Sequence, residues 1–122
     1  MKFNDKIVLI FDDDEDILSI CSYILEENGF TVHTSTNCKD IVSKVEQINP
    51  HVILMDNWIP DQGGVVATQQ LKKSNTLQKI PVIYFSANND IKAIAEKAGA
   101  DSYISKPFDL DQLISVINSC LI

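Results

Sequence analysis

The sequence predicts a single α/β domain built on an open, five-stranded parallel sheet with helices on both faces. Three observations lead there. Short apolar runs alternate with amphipathic segments, five of each, along the 122 residues. Strict alternation of this kind implies crossover connections, which parallel strands require. The first, third and fourth runs are the most apolar, whereas the second has a polar face and reads as a sheet edge. This pattern favours the strand order 2-1-3-4-5, since five units are too few to close a barrel.

Taken in order, Ile7-Val8-Leu9-Ile10-Phe11 is continuously apolar and partly β-branched, as in a strand buried on both faces. The acidic run Asp12-Asp13-Asp14-Glu15-Asp16 follows. Ile17, Leu18, Cys21, Ile24 and Leu25 then fall at helical spacing, and Asn28-Gly29 supplies the stop. Thr31-Val32-His33-Thr34 is the edge strand. Ile41, Val42, Val45 and Ile48 mark the second helix, closed by Asn49-Pro50 because a residue before proline avoids the α region.

His51-Val52-Ile53-Leu54-Met55 is the third strand and delivers Asp56 at its carboxyl end. A loop with Pro60 and Gly63-Gly64 leads to a helix carrying Val65, Val66 and Leu71. Pro81-Val82-Ile83-Tyr84-Phe85 is the fourth strand, with Ser86 at its end. Residues 91–98 form a short helix stopped at Gly99. Ser102-Tyr103-Ile104-Ser105 is the fifth strand, followed by Lys106-Pro107. Leu110, Leu113, Ile114, Ile117 and Leu121 line the last helix, which is expected to run to Ile122. There is no internal repeat, low-complexity stretch or linker, so one domain is expected over residues 1–122.

Hydrophobic residues make up 45% of the chain and charged residues 22%, a globular balance that argues against disorder. No apolar run approaches the ~20 residues of a membrane span. Met1-Lys2-Phe3-Asn4-Asp5-Lys6 lacks the apolar core of a signal peptide, so a cytoplasmic location is expected. Cys21, Cys38 and Cys120 are odd in number and without metal-type spacing, which points to free thiols, buried or half-buried. The net charge of −7, without a Lys/Arg cluster, argues against direct nucleic-acid or anionic-membrane binding.

In open sheets of this kind the site lies beyond the carboxyl ends of the strands, where the order reverses. Asp12, Asp13, Asp56, Ser86 and Lys106 all fall there. Three carboxylates at one rim repel one another and need cations to offset them. Lys106 supplies one charge and a divalent ion the other. An oxygen-only donor set without thiols or paired histidines favours Mg²⁺ or Mn²⁺ over zinc, and one or two carboxylates plus a carbonyl suffice. The spacing does not fit an EF-hand loop, which needs alternating acidic residues and a central glycine. Asp14, Glu15 and Asp16 have a second use at the N-terminus of the first helix. Asp56 is the candidate nucleophile: a carboxylate can attack phosphorus to form an aspartyl phosphate. Transfer then depends on positioning and on neutralising the phosphoryl oxygens, a task for the metal, Lys106 and the Ser86 hydroxyl. A single Ser or Lys after a strand is usually a loop residue; five polar residues at neighbouring strand ends are harder to dismiss.

The pattern Val8-Leu9-Ile10-Phe11-Asp12-Asp13, Leu54-Met55-Asp56-Asn57-Trp58-Ile59-Pro60 with Gly64, Phe85-Ser86-Ala87 and Tyr103-Ile104-Ser105-Lys106-Pro107-Phe108 resembles the response-regulator receiver domain of two-component signalling. The likeness covers essentially the whole chain, in the family order and spacing, and is to a single-domain, chemotaxis-regulator-like receiver. It implies a flavodoxin-like fold. It also implies that Asp56 takes a phosphoryl group from a histidine kinase or histidine phosphotransfer protein. Asp13, Asp56 and the Trp58 carbonyl would bind Mg²⁺, with Asp12 assisting through water. Lys106 would bridge to the phosphoryl group, Ser86 would hydrogen-bond it, and Tyr103 would turn inward as Ser86 moves. A cis Lys106-Pro107 bond is implied as well. Gly63 departs from the acidic or polar residue that many relatives place there, while Trp58 and Asn88 occupy positions that influence access of water to the acyl phosphate.

Three rival readings fit the residues less well. Aspartate-nucleophile phosphatases carry a second Asp two residues on, where this chain has Trp58. A flavin module would want a Ser/Thr/Gly-rich phosphate loop after the first strand, and an acidic loop has the wrong sign. A degenerate receiver that only binds partners conflicts with the presence of all five site residues. No output domain is expected in this chain, so it is either a single-domain regulator or part of a larger protein. The output partner is not legible. The last helix carries no Lys or Arg, which disfavours a charge-paired dimer and points to a monomer or weak dimer. Ile91, Lys97, Tyr103 and the last helix are the expected partner surface.

Overall fold

The computed structural model describes residues 6–60 and 63–121. Five strands, β1 (Ile7–Phe11), β2 (Thr31–Ser35), β3 (Val52–Asp56), β4 (Val82–Ser86) and β5 (Ser102–Ser105), alternate with five helices. These are α1 (Glu15–Glu27), α2 (Ile41–Ile48), α3 (Gly63–Lys73), α4 (Ile91–Ala98) and α5 (Leu110–Leu121). The sheet is parallel throughout and its order is β2-β1-β3-β4-β5. The fold is therefore the flavodoxin-like one. The N-terminal residues 1–5, and the end of the last helix at Ile122, lie outside the described residues.

Alternation of side chains across the sheet explains why the central strands read as unbroken apolar runs. Leu9, Phe11, Ile53, Met55, Val82 and Tyr84 point to one face and pack with Ile41, Val45, Ala67, Leu71 and Ala95 from α2, α3 and α4. Val8, Ile10, Val52, Leu54, Ile83 and Phe85 point to the other face, against Leu18, Cys21, Leu25, Leu113 and Ile117 from α1 and α5. Each central strand thus feeds two cores. β2 has one neighbour only, and Thr31, His33 and Thr34 are exposed, as its polar face predicted.

The helix ends follow local chemistry. Asp14 caps α1, its carboxylate accepting the N–H groups of Asp16 at 3.0 Å and Ile17 at 3.4 Å. Asn28 closes the same helix, and Asn49 ends α2 in the left-handed region at φ 51°. Cys21 and Cys38 are buried thiols and Cys120 is half-buried. The Lys106-Pro107 bond is cis. Among the described residues, no helix is long and apolar enough to cross a membrane.

Several details differ from the sequence reading. β3 and β4 each begin one residue later than the apolar runs and take in Asp56 and Ser86 as their last residues, paired in register with Phe85 and Ser105. Leu110, grouped with the apolar face of the last helix, is 44% exposed, and Val66 on α3 is 42% exposed. On α3 the small residues Ala67 and Thr68 face inward instead, which lets that helix lie close to the sheet. Ile91 is buried in the core, so it forms no part of the surface that a partner could touch.

Candidate functional site

The carboxyl ends of β1, β3, β4 and β5 surround an open cleft of about 420 Å³. Asp12, Asp13, Asp56, Trp58, Ser86 and Lys106 are among its lining residues. Each is carried there by backbone that the sheet itself holds. Asp12 follows β1, and its N–H still bonds the Ser35 carbonyl of β2 at 3.1 Å. Asp56 ends β3. Lys106 follows β5, and its N–H donates to the Ser86 carbonyl at 2.9 Å.

Asp12 is 1% exposed and Asp56 5%. Such depth requires compensation, because an unpaired buried carboxylate is costly. The Lys106 ammonium provides it, donating at 2.9 Å to Asp12 Oδ2 and at 2.9 Å to Asp56 Oδ1. The second oxygen of Asp12 accepts the Asp14 N–H at 2.9 Å, and the second oxygen of Asp56 accepts the Trp58 N–H at 3.1 Å. Burial pushes the Asp12 carboxyl above its ordinary range, Asp56 adds to the rise, and the bonds from Lys106 and Asp14 oppose it. Burial pulls the Lys106 ammonium the other way, but its bonds to Asp12 and Asp56 outweigh that and hold it above its ordinary value. Lys106 is therefore a cation at neutral pH.

Asp13 completes an acidic triad. Asp12, Asp13 and Asp56 each present one oxygen, and these atoms lie within 4.8 Å of one another. All-oxygen donors of this charge suit a hard divalent cation such as Mg²⁺, which takes one or two carboxylates and keeps several waters. Ser86 is buried beside them, and its hydroxyl accepts the Asn88 N–H at 3.1 Å. That bond uses a lone pair, so the hydroxyl proton can be donated elsewhere.

The five strand-end residues singled out from the sequence thus meet at one cleft. Trp58 joins them through its backbone while its side chain is 74% exposed. Tyr103 does not line the cleft; it lies on β5 with its side chain partly exposed. Two contributors were not legible in the sequence. The Phe85 ring lies beneath Lys106, with the ammonium 4.5 Å from its centroid, a cation–π contact. Tyr84, wholly buried, donates its hydroxyl to Asn57 Oδ1 next to Asp56. Burial and the Asp56 charge push this phenol up, so it remains a donor. Both sit inside an apolar strand, where an aromatic reads as core.

Comparison with known proteins agrees with this fold. The family model described as the response regulator receiver domain matches residues 8–118. Regulatory protein AtoC of Escherichia coli (strain K12) is 30% identical over 116 residues, which cover 93% of this chain and 25% of that protein. The chain spans about half, or less, of the length of the curated relatives it matches, reaching 51% in the phosphate regulon transcriptional regulatory protein PhoB of the same organism. Among solved structures, the receiver domain of the Francisella response regulator 1452 superposes with a TM-score of 0.85 at 31% identity. It covers 96% of this chain and 97% of that one. A CheY-like receiver domain protein from Methanospirillum hungatei JF-1 does so with a TM-score of 0.85 at 28% identity, over 95% and 93%.

Proposed function

The chain belongs to the response-regulator receiver family, and from that premise we propose that it is a phosphoacceptor switch in which Asp56 is the residue phosphorylated. The observation that carries this reading is the single Lys106 ammonium bonded at 2.9 Å to both Asp12 and Asp56 inside an acidic triad. A buried, cation-braced carboxylate at a strand end suits attack on phosphorus, because phosphoryl transfer depends mostly on positioning and on neutralising the phosphoryl oxygens.

In this reading one Asp56 oxygen bonds phosphorus as the P–N bond of a phosphohistidine donor breaks. The donor is a histidine kinase or histidine phosphotransfer protein. Lys106 exchanges its bond to Asp56 Oδ1 for one to a phosphoryl oxygen while keeping Asp12. Ser86 donates its hydroxyl proton to another phosphoryl oxygen. Asp13, Asp56 and the Trp58 carbonyl would hold Mg²⁺ (or Mn²⁺), with Asp12 assisting through water. When bound, that ion would supply positive charge to offset the phosphoryl oxygens. Apart from this transfer and the hydrolysis of the aspartyl phosphate to free Asp56 and inorganic phosphate, no turnover of other substrates is proposed.

Tyr103 is assigned the role of relay. Its partly exposed ring would turn inward as Ser86 is drawn to the phosphoryl group, altering the surface formed by α4, β5 and α5. A pre-existing equilibrium would thereby shift without a new fold. The whole of 1–122 would act as one receiver domain, cytoplasmic, monomeric or weakly dimeric, and without direct contact to nucleic acid or membrane.

The test is incubation with Mg²⁺ and acetyl phosphate followed by intact-mass measurement. One phosphoryl group should be gained by the wild-type protein, and none by Asp56→Asn or in the presence of EDTA. Labelling that survives in Asp56→Asn sinks the proposal.

A further inference from the structure

We infer that Tyr84 is a positioning residue for the phosphoacceptor segment, holding Asp56 and Trp58 in place through the side chain of Asn57. This rests on the reading of Asp56 as the acceptor.

Tyr84 is fully buried, and a phenol hydroxyl at that depth needs a partner. It finds one in Asn57 Oδ1. Asn57 is the residue between the acceptor and Trp58, and its own carbonyl accepts the Gly64 N–H at 3.1 Å. The segment is thus tied from its side chain and from its backbone. Gly64 completes the clamp: a Cβ there would lie 2.3 Å from the Asp56 carbonyl oxygen and 2.9 Å from the Tyr84 hydroxyl. The hydroxyl and the acceptor's carbonyl thus both border the space at Gly64, at the start of α3, that a side chain would fill.

The two β4 residues opposite the end of β3 divide the work by face. Phe85, in register with Asp56, supports the Lys106 ammonium on one side. Tyr84, in register with Met55, supports Asn57 on the other. A phenylalanine at 84 would fill the core equally well, so the hydroxyl's contribution is to the loop above it.

The experiment compares wild type, Tyr84→Phe, Asn57→Ala and the double variant. Mg²⁺ affinity is read from Trp58 fluorescence, and acetyl-phosphate labelling from intact mass. Loss of a buried hydrogen bond should weaken Mg²⁺ binding about five- to tenfold and slow labelling by a similar factor in Tyr84→Phe. Asn57→Ala should do the same, and the double variant should lose no more than either single one, because both remove one interaction. A Tyr84→Phe protein with wild-type affinity and labelling overturns the inference, as do losses that add in the double variant. If wild type itself fails to bind Mg²⁺ and to label, the acceptor reading falls, and this inference with it.

Discussion

The Lys106 ammonium lies 2.9 Å from Asp56 Oδ1 across 50 residues of sequence. It also bonds Asp12, so one cation serves three clustered carboxylates and leaves two negative charges in excess. The site is consequently a compromise between stability and readiness to take up positive charge.

Removing that cation should expose the compromise. Lys106→Met leaves Asp12 and Asp56 buried without their counter-charge, and we expect a loss of about 3 kcal/mol at neutral pH. Adding Asp12→Asn should restore more than half of it. Urea denaturation of the two variants measures this; a Lys106→Met midpoint equal to wild type would show that water already screens the carboxylates.

Mg²⁺ should raise the thermal midpoint progressively with concentration, since a ligand bound only by the folded state stabilises it by mass action. Asp13→Asn should abolish the rise. In the absence of metal the same variant should be slightly more stable than wild type, by up to about 1 kcal/mol, because one repelling carboxylate is gone. A scanning-calorimetry series with and without EDTA decides it.

The two adjacent glycines should differ in tolerance. Gly63 sits at φ +81°, with the Asn57 carbonyl oxygen 3.8 Å from an added Cβ, so Gly63→Ala meets backbone strain of about 1 kcal/mol. Gly64→Ala would drive a methyl to 2.3 Å from the Asp56 carbonyl oxygen and should cost about 3 kcal/mol. Equal denaturation midpoints for the two would contradict this packing.

Stability should decline on the alkaline side. Burial pushes the Cys21 thiol from its ordinary 9.0 up to about 11, and Asp12 adds to the rise. Between those values the unfolded chain has released a proton that the fold retains. The unfolded state binds fewer protons there, so stability is full below pH 9 and falls by about 2–3 kcal/mol as pH rises to 11. Lys106 and Tyr84, both raised, act with the same sign at higher pH. Denaturation midpoints at pH 8 and pH 10.5 should therefore differ more in wild type than in Cys21→Ala.

Much of this protein is local and was therefore readable without coordinates. The β–α alternation, the stops at Asn28-Gly29, Asn49-Pro50 and Gly99, and the polar edge strand are short-range signals, and the structure repeats them. Asp12, Asp13, Asp56, Ser86 and Lys106 were grouped because a parallel sheet must bring all its strand ends to one rim. Ile91 was misplaced on the surface because an eight-residue helix offers too few turns to distinguish its inward face.

The chain by itself determined which residue types arrive at the rim, since strand length and apolar pattern set where each strand ends. Only the tertiary structure decided how those residues pair. One Lys106 ammonium braces two carboxylates, Phe85 supports that ammonium, and Tyr84 reaches Asn57 from beneath. Such contacts depend on the register between β3 and β4, which puts Asp56 beside Phe85 and Met55 beside Tyr84. A shift of one residue would exchange the faces of both aromatics. No property of the separate segments encodes that register; it emerges when both cores close on the sheet together.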